Sequence, residues 1–555
     1  MAPPRNLIST CALTIAFAAL VAFTVTDIAA SDYFDLGDFH RPVTAASPEA
    51  EEWFVRGLVQ CYGFNHEEAV RCFERALAID PDMAMAHWGI AYALGPNYNN
   101  PMMEEEASRG AHEAISKAKS GIESASAVER ALITALDTRY AWPVPEDRGP
   151  LEIAYAAAMR KVYEAFPDDP DVAALFAESL MMLRPWMLWS PDGKPAPETP
   201  EIRSVLEPAL ERWPAHVALC HLYIHTMEPS PDPSLARAAA DSLRTRVPDA
   251  GHLVHMPSHI DVLLGDYDKV IEANRKAIVA DYKFVEREGR LNFFTLYRLH
   301  NLHFLVYGAM FDGQRALAMK AANELAAEVP AELLADIPDF VEAFIPTRYH
   351  VLVRYGDWKQ ILAEPEPPAE QPYSRAIHHY ARTLALASLN RVSEAEAELA
   401  TLIEAKALVP ESRILFNNTC ADILQIAVAM ATGEVEYRKG NYEAAWENLR
   451  DAVLLDDALN YDEPWGWMQP ARHALGALLL EQGHVREAET VYREDLKRHP
   501  RNGWSLAGLA ESLERQEQTE QAASCKAQLA AAWTRADVPA NVSCYCRTGE
   551  VAATK

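Results

Sequence analysis

Apolar residues beyond residue 30 recur mostly three and four positions apart in alanine-rich segments, and period-two alternation is scarce. That spacing puts apolar side chains on one face of a helix and predicts an all-α chain. One stretch, "WFVRGLVQCYGFNHEEAVRCFERALAIDPDMAMAHWG" from Trp53, carries two such stripes divided by a polar turn and closed by Pro81. Its outline returns elsewhere. "RWPA" at Pro214, "RVPDA" at Pro248 and "RHPRN" at Pro500 close later units, while "GDY" at Gly265, "YGDW" at Gly356 and "GNY" at Gly440 mark turns between paired helices.

Trp53, Gly57, Ala69, Phe73, Ala76 and Pro81 match the helix A, helix B and terminal-proline positions of the tetratricopeptide repeat, and the chain resembles that family. The resemblance implies an all-α, TPR-type solenoid of helical hairpins whose A helices line a concave groove, and by default a scaffold that binds peptides or partner proteins. Residues 97–150 and 183–200 fit poorly; rich in Pro, Asn and Trp ("PNYNNPMM", "RPWMLWSPDGKPAPETP"), they read as loops inserted into the solenoid. The expected layout is a solenoid over 31–362, a linker at 363–372 ("AEPEPPAEQP"), further repeats over 373–538 and a cysteine-containing tail at 539–555.

Ahead of the repeats stands a different pattern. Arg5, the apolar run "CALTIAFAALVAFTV" and Ala29-Ala30 read as a secretory signal, with cleavage after Ala30. The run is too short to span a membrane comfortably, and no later stretch is long enough, so the mature protein is expected to be exported, periplasmic or extracellular, and not membrane-inserted. Thr10 is a poor residue before a lipidated cysteine, which discounts Cys11 as an anchor. Seven cysteines remain, too few and odd in number for a disulfide scaffold; Cys544 and Cys546 either bridge to Cys525 or stay as thiols. A formal net charge of −29 repels polyanions and argues against nucleic acid as a partner.

The histidines set this chain apart from a plain scaffold. "HLYIHTME" places His221 and His225 four apart with Glu228 three further on, and "GHLVHMPSHID" places His252, His255 and His259 at spacings of three and four, each set on one helix face. By resemblance these are groove-facing A-helix positions. "LHNLHF" adds His300 and His303 if Gly313 is the turn glycine, followed by Tyr307. Eighteen histidines in 555 residues would put fewer than one among those groove positions by chance. Pro257 either kinks the helix toward the groove or begins it, in which case His252 and His255 lie on the preceding loop.

Clustered imidazoles repel if protonated, whereas neutral imidazole is the commonest metal ligand. The set His221, His225, His252, His255, His259, His300 and His303 exceeds what one tetrahedral ion needs, so one or more transition-metal ions are expected, copper first by the Irving–Williams order, then zinc or iron. Copper implies oxygen chemistry and zinc, with Glu228 as general base, implies hydrolysis. Glu178 is a further candidate ligand or acceptor, and Trp186 and Trp189 are expected to pack the inserted loop or to cover a small-molecule or peptide substrate. His87 and His379 read as packing residues, His66 and His484 as turn residues, His350 and His473 as isolated. No H-E-x-x-H, G-x-S-x-G, G-x-G-x-x-G or P-loop motif occurs. "RPWMLW", "HLYIHTME", "GHLVHMPSHI" and "HNLHF" together also resemble a group of secreted bacterial tetratricopeptide proteins, which links the motifs to one site and names no reaction.

Overall fold

The computed structural model describes residues 33–539 and 542–547. The expected signal segment and the tail beyond Arg547 lie outside the described residues. Helices account for nearly all regular structure, and among the described residues strands are confined to one short antiparallel pair, Ile414–Leu415 with Asn418–Thr419. No helix among them is long and apolar enough to cross a membrane.

The chain divides into two compact units. One, called here the histidine unit, comprises Phe34–Gly308 with Arg498–Arg501; the other, the C-terminal unit, holds Ala309–Lys497 with residues 502–539 and 542–547. The histidine unit is built from α1 (Pro48–Tyr62), α2 (His66–Ile79), α3 (Ala84–Leu94), α4 (Glu105–Ser120), α5 (Ala127–Asp137), α6 (Gly149–Ala165), α7 (Pro170–Met181), α8 (Thr199–Arg212), α9 (Val217–Met227), α10 (Arg237–Leu243), α11 (Gly251–His255), α12 (Pro257–Leu263), α13 (Tyr267–Glu288) and α14 (Phe294–Phe311), which runs on past Gly308. Successive helices pack as antiparallel hairpins, α1 on α2, α2 on α3 and α3 on α4, and α1 also meets α9.

The first hairpin shows why the sequence folds this way. Ser47 caps α1 by accepting from Ala50 N, with Pro48 at the first helical position. Phe73 of α2 lies between Gly57 of α1 and Gly89 of α3, where a Cβ at either glycine would come within 2.6 Å of the ring. Only glycine allows so close an approach. The C-terminal unit repeats the device with Tyr492 seated between Gly476 and Gly508. The turn glycine Gly265 has φ +74°, a left-handed conformation that suits glycine, as does Gly356 at +66°.

Two expectations need correction. Residues 97–150 are not an inserted loop: α4 and α5 occupy much of the stretch, and Ser126 and Glu129 form a capping box at the start of α5. Short amphipathic helices with Ala-rich buried faces lie between the Pro- and Asn-rich turns that dominated the reading. Cys544 bonds to Cys546 rather than to Cys525, which is a free, buried thiol. The segment 183–198 is indeed a loop, tied across itself by the Trp189–Pro195 bridge.

Candidate metal centre

His216 begins the assembly by capping α9: its Nδ1 accepts from Leu219 N at 3.4 Å while its Nε2 donates to Asp171 Oδ1 at 3.2 Å. One and two turns further on, His221 and His225 leave the same face of α9. Pro257 is the first residue of α12, and the Met256 before it keeps right-handed helical dihedrals (φ −49°, ψ −38°). His252 and His255 therefore sit on a short helix of their own, α11, and stay on the side that carries His259. His300 comes from α14, and α13 packs behind both α11 and α12.

Four of the rings are fixed through Nδ1. His221 Nδ1 donates to the Tyr62 carbonyl at 2.7 Å, and Glu228 accepts from His225 Nδ1 at 2.8 Å and from His259 Nδ1 at 2.5 Å. His255 Nδ1 donates to Asn274 Oδ1 at 2.6 Å; the Asn274 amide nitrogen is spent on Val270 O (2.8 Å) and Ser258 Oγ (3.1 Å), which settles which end of the amide faces the ring. With the proton on Nδ1, the Nε2 atoms of His221, His225, His255 and His259 carry lone pairs.

Those lone pairs face other imidazole nitrogens. His255 Nε2 lies 2.6 Å from His259 Nε2 and 2.9 Å from His300 Nε2, and His221 Nε2 lies 3.2 Å from His252 Nε2. His225 Nε2 is buried with no hydrogen-bond partner. Three groups of ligand atoms lie within 4.8 Å of one another: His221, His225 and His252; His255, His259 and His300; and His225, Glu228 and His259. His303 is buried on α14 but belongs to none of these groups.

Burial, followed by the neighbouring imidazoles, pushes His221, His252, His255 and His300 well below the ordinary histidine value. His225 is lowered by burial too, against the pull of Glu228. Burial alone would raise the Glu228 carboxyl; the His225 and His259 imidazoles override it and bring it down to about 2. His221, His225, His252, His255 and His300 are thus biased toward the neutral form beside one carboxylate.

The rings are enclosed, all but His300 being at most 2% exposed. Aromatic side chains form the walls. Phe64 lies 4.6 Å from the His221 ring and Tyr297 4.6 Å from the His252 ring, Tyr98 and Trp186 approach His225 at 5.3 and 5.5 Å, and Phe304 stacks on His259 at 5.4 Å, all between centroids. Trp186 thus covers His225, whereas Trp189 ties the loop down by donating to the Thr226 carbonyl at 2.7 Å. Glu178 is buried, not solvated, and accepts from the Tyr92 hydroxyl.

Sequence reasoning passed over Tyr62, Phe64, Tyr98, Asn274 and Tyr297. Asn274 left a signal: it interrupts the buried stripe Val270, Ile271, Ala273, Ala277, Ile278 of α13, and a polar residue there needs a partner. The aromatics left none, since ring residues on a helix face read as core.

Residues 50–83 match the tetratricopeptide-repeat profile. No curated protein matches the chain. Among solved structures the chain is similar to human IFIT1, a dimer with m7Gppp-AAAA, at 11% identity over 80% of this chain and 89% of that one, with a TM-score of 0.34. It is also similar to the APC/C hetero-tetramer Cut9-Hcn1 (15% identity, 87% and 76% covered, TM-score 0.32). Yeast Tom70 is another (15%, 87% and 90%, TM-score 0.27). Likeness at that level adds nothing to what the helical hairpins themselves show.

Proposed function

We propose that the histidine unit holds two transition-metal ions side by side, one on His221, His225 and His252 and the other on His255, His259 and His300, with copper before zinc or iron. The observation that carries this reading is the meeting of the His255, His259 and His300 Nε2 atoms at 2.6 and 2.9 Å, with the Nδ1 protons of His255 and His259 already committed elsewhere. The His255 and His259 lone pairs, 2.6 Å apart, repel unless a cation lies between them, and burial disfavours a proton in that place. Tying a ligand's Nδ1–H to a carboxylate or carbonyl is also how metal-binding imidazoles are oriented and made more basic. Here Glu228 ties one ring of each set to the other.

Three imidazoles per ion leave a coordination position open, which suits a reactive centre better than a store. Oxidoreduction fits better than hydrolysis, because Glu228 accepts from two rings and is held near 2, a poor general base. Nitrogen-only donors favour copper over zinc by the Irving–Williams order. In this reading the leader of residues 1–30 exports the protein to the periplasm or beyond, away from competing cytosolic thiols. A small molecule or peptide is the substrate, partner proteins dock on the helical repeats, and the charge of −29 keeps nucleic acid away.

Calorimetric titration of copper(II) into chelator-stripped chain tests this. The expected stoichiometry is two, falling to one in His255→Ala; zero in the wild type leaves the chain a protein-binding scaffold.

A further inference from the structure

The C-terminal unit ends in a segment that is seated among its helices. Residues 542–547 meet side chains from four of them: Arg354 (Thr347–Arg354), Arg438 (Cys420–Lys439), Tyr492 (Val485–Arg498), and Trp504 and Glu511 (Gly503–Arg515). Two guanidinium groups take the backbone, Arg354 Nη2 donating to the Ser543 carbonyl at 2.7 Å and Arg438 to the Cys546 carbonyl. The Tyr492 hydroxyl pairs with Ser543 Oγ at 2.5 Å, Arg547 donates to Glu511 at 2.7 Å, and the Tyr545 ring stands edge-on to Trp504 at 6.2 Å.

The seat is shaped for this occupant. A Cβ at Gly356 would lie 2.7 Å from the Cβ of Tyr545, so the residue beneath that ring has no side chain. The Cys544–Cys546 disulfide closes the segment into a small ring over a cavity lined by Arg354, Glu434, Gln469 and His473 together with both cysteines. Arg354 is 3% exposed; its Nη1 and Nη2 donate to His473 and Ser543, and its Nε has no partner. The Arg354 guanidinium also lies 4.0 Å over the Trp504 ring, and none of its hydrogen bonds reaches a carboxylate. It suits a cleft that receives carbonyl groups from an incoming chain.

We propose that this cleft is a receptor for an extended peptide segment of a partner protein, and that the chain's own Val542–Arg547 is its resident, displaceable occupant, an autoinhibitory contact. The partner's segment takes the cleft in the same way, with two carbonyls on Arg354 and Arg438 and an aromatic ring over Gly356.

The test uses the labelled peptide Val-Ser-Cys-Tyr-Cys-Arg, closed by its own disulfide, and full chains read by fluorescence anisotropy. In one chain the occupant is disabled by Ser543→Gly, Cys544→Ser, Tyr545→Gly, Cys546→Ser and Arg547→Gly. Saturable binding to that variant is expected, with at least tenfold weaker binding to the wild type and at least tenfold weaker binding of a peptide whose tyrosine is glycine. Equal binding to both chains, or none to a variant whose circular-dichroism melt matches the wild type, overturns the proposal. Hydrogen exchange of the wild-type chain is an independent check: tail amides slowed at least tenfold relative to the free peptide are expected, and exchange at the free-peptide rate overturns the proposal whatever the variant does.

Discussion

His473 in the C-terminal unit and His255 in the histidine unit are both buried on helices, yet their nitrogens are used in opposite ways. His473 Nδ1 accepts from Arg354 at 2.7 Å and its Nε2 donates to Asp495 at 2.9 Å, with Asn502 and Ser505 completing that carboxylate's shell. Both ring nitrogens thus have a partner of opposite kind, although the Asn502 amide nitrogen also lies 2.8 Å from Nε2. His255 satisfies one nitrogen on Asn274 and points the other at two more imidazole nitrogens. A structural histidine closes its own hydrogen bonds, whereas a ligating one is held by a single nitrogen while the other waits for a cation.

The largest effect expected from this contrast is His255→Ala. It removes the ring shared by the two shortest Nε2 contacts and should cost one equivalent of metal outright, read by elemental analysis, and at least 100-fold in the affinity of that centre. Glu228→Gln comes next. The amide cannot accept from both rings as the carboxylate does, and loss of such an outer partner typically costs about 10–100-fold in metal affinity. Isothermal titration should show weakening at both centres, since Glu228 holds one ring of each. His473→Ala should do the reverse, destabilising the chain by about 1–3 kcal/mol by leaving Asp495 and Arg354 short of a partner, with metal content unchanged. Denaturant melts beside elemental analysis separate the two outcomes.

Acid sharpens the same contrast. His221, His252, His255 and His300 have folded-state values below the roughly 6.5 of an unfolded chain, so the folded state binds fewer protons. Stability contributed by these rings is present above that value and is lost as pH falls through it. The melting temperature of metal-free protein should therefore drop between about pH 7.5 and about pH 5.5, and less steeply once His252 and His255 are alanine. The smallest effect is expected of Trp186→Ala, which opens the wall over His225 without removing a ligand. Metal content should hold, and stability should change by about 0.5 kcal/mol or less, since the ring is only half-buried.

How much of this was legible depended on whether the signal was local. Helical periodicity exposed the hairpins, and the Gly57–Phe73 pair betrayed the first repeat because ring and glycine hold fixed places in it. The spacing in "HLYIHTME" puts His221 and His225 on one face of α9, whereas His252 and His255 share a face with His259 only because Met256 carries helical dihedrals across the break before Pro257. His300 and His303 could not be ranked: both lie on α14, and which of them reaches His255 depends on how that helix is rotated against α11. The enclosure of the site was hidden for the same reason, because Tyr62, Phe64, Tyr98 and Trp186 are brought to the histidines by packing between distant segments. The seat of the tail was equally unreadable, resting on residues 542–547 meeting Arg354 and Arg438 from far along the chain.

The central claim is that two ions share the histidine cluster, and elemental analysis by mass spectrometry of the chain purified without chelators or affinity metals tests it most directly, beside a His225→Ala, His255→Ala double variant. The account predicts close to two equivalents of one transition metal, copper before the others, in the wild type and none in the variant. A wild-type chain without metal even after reconstitution, or a variant that keeps its full complement, would contradict it.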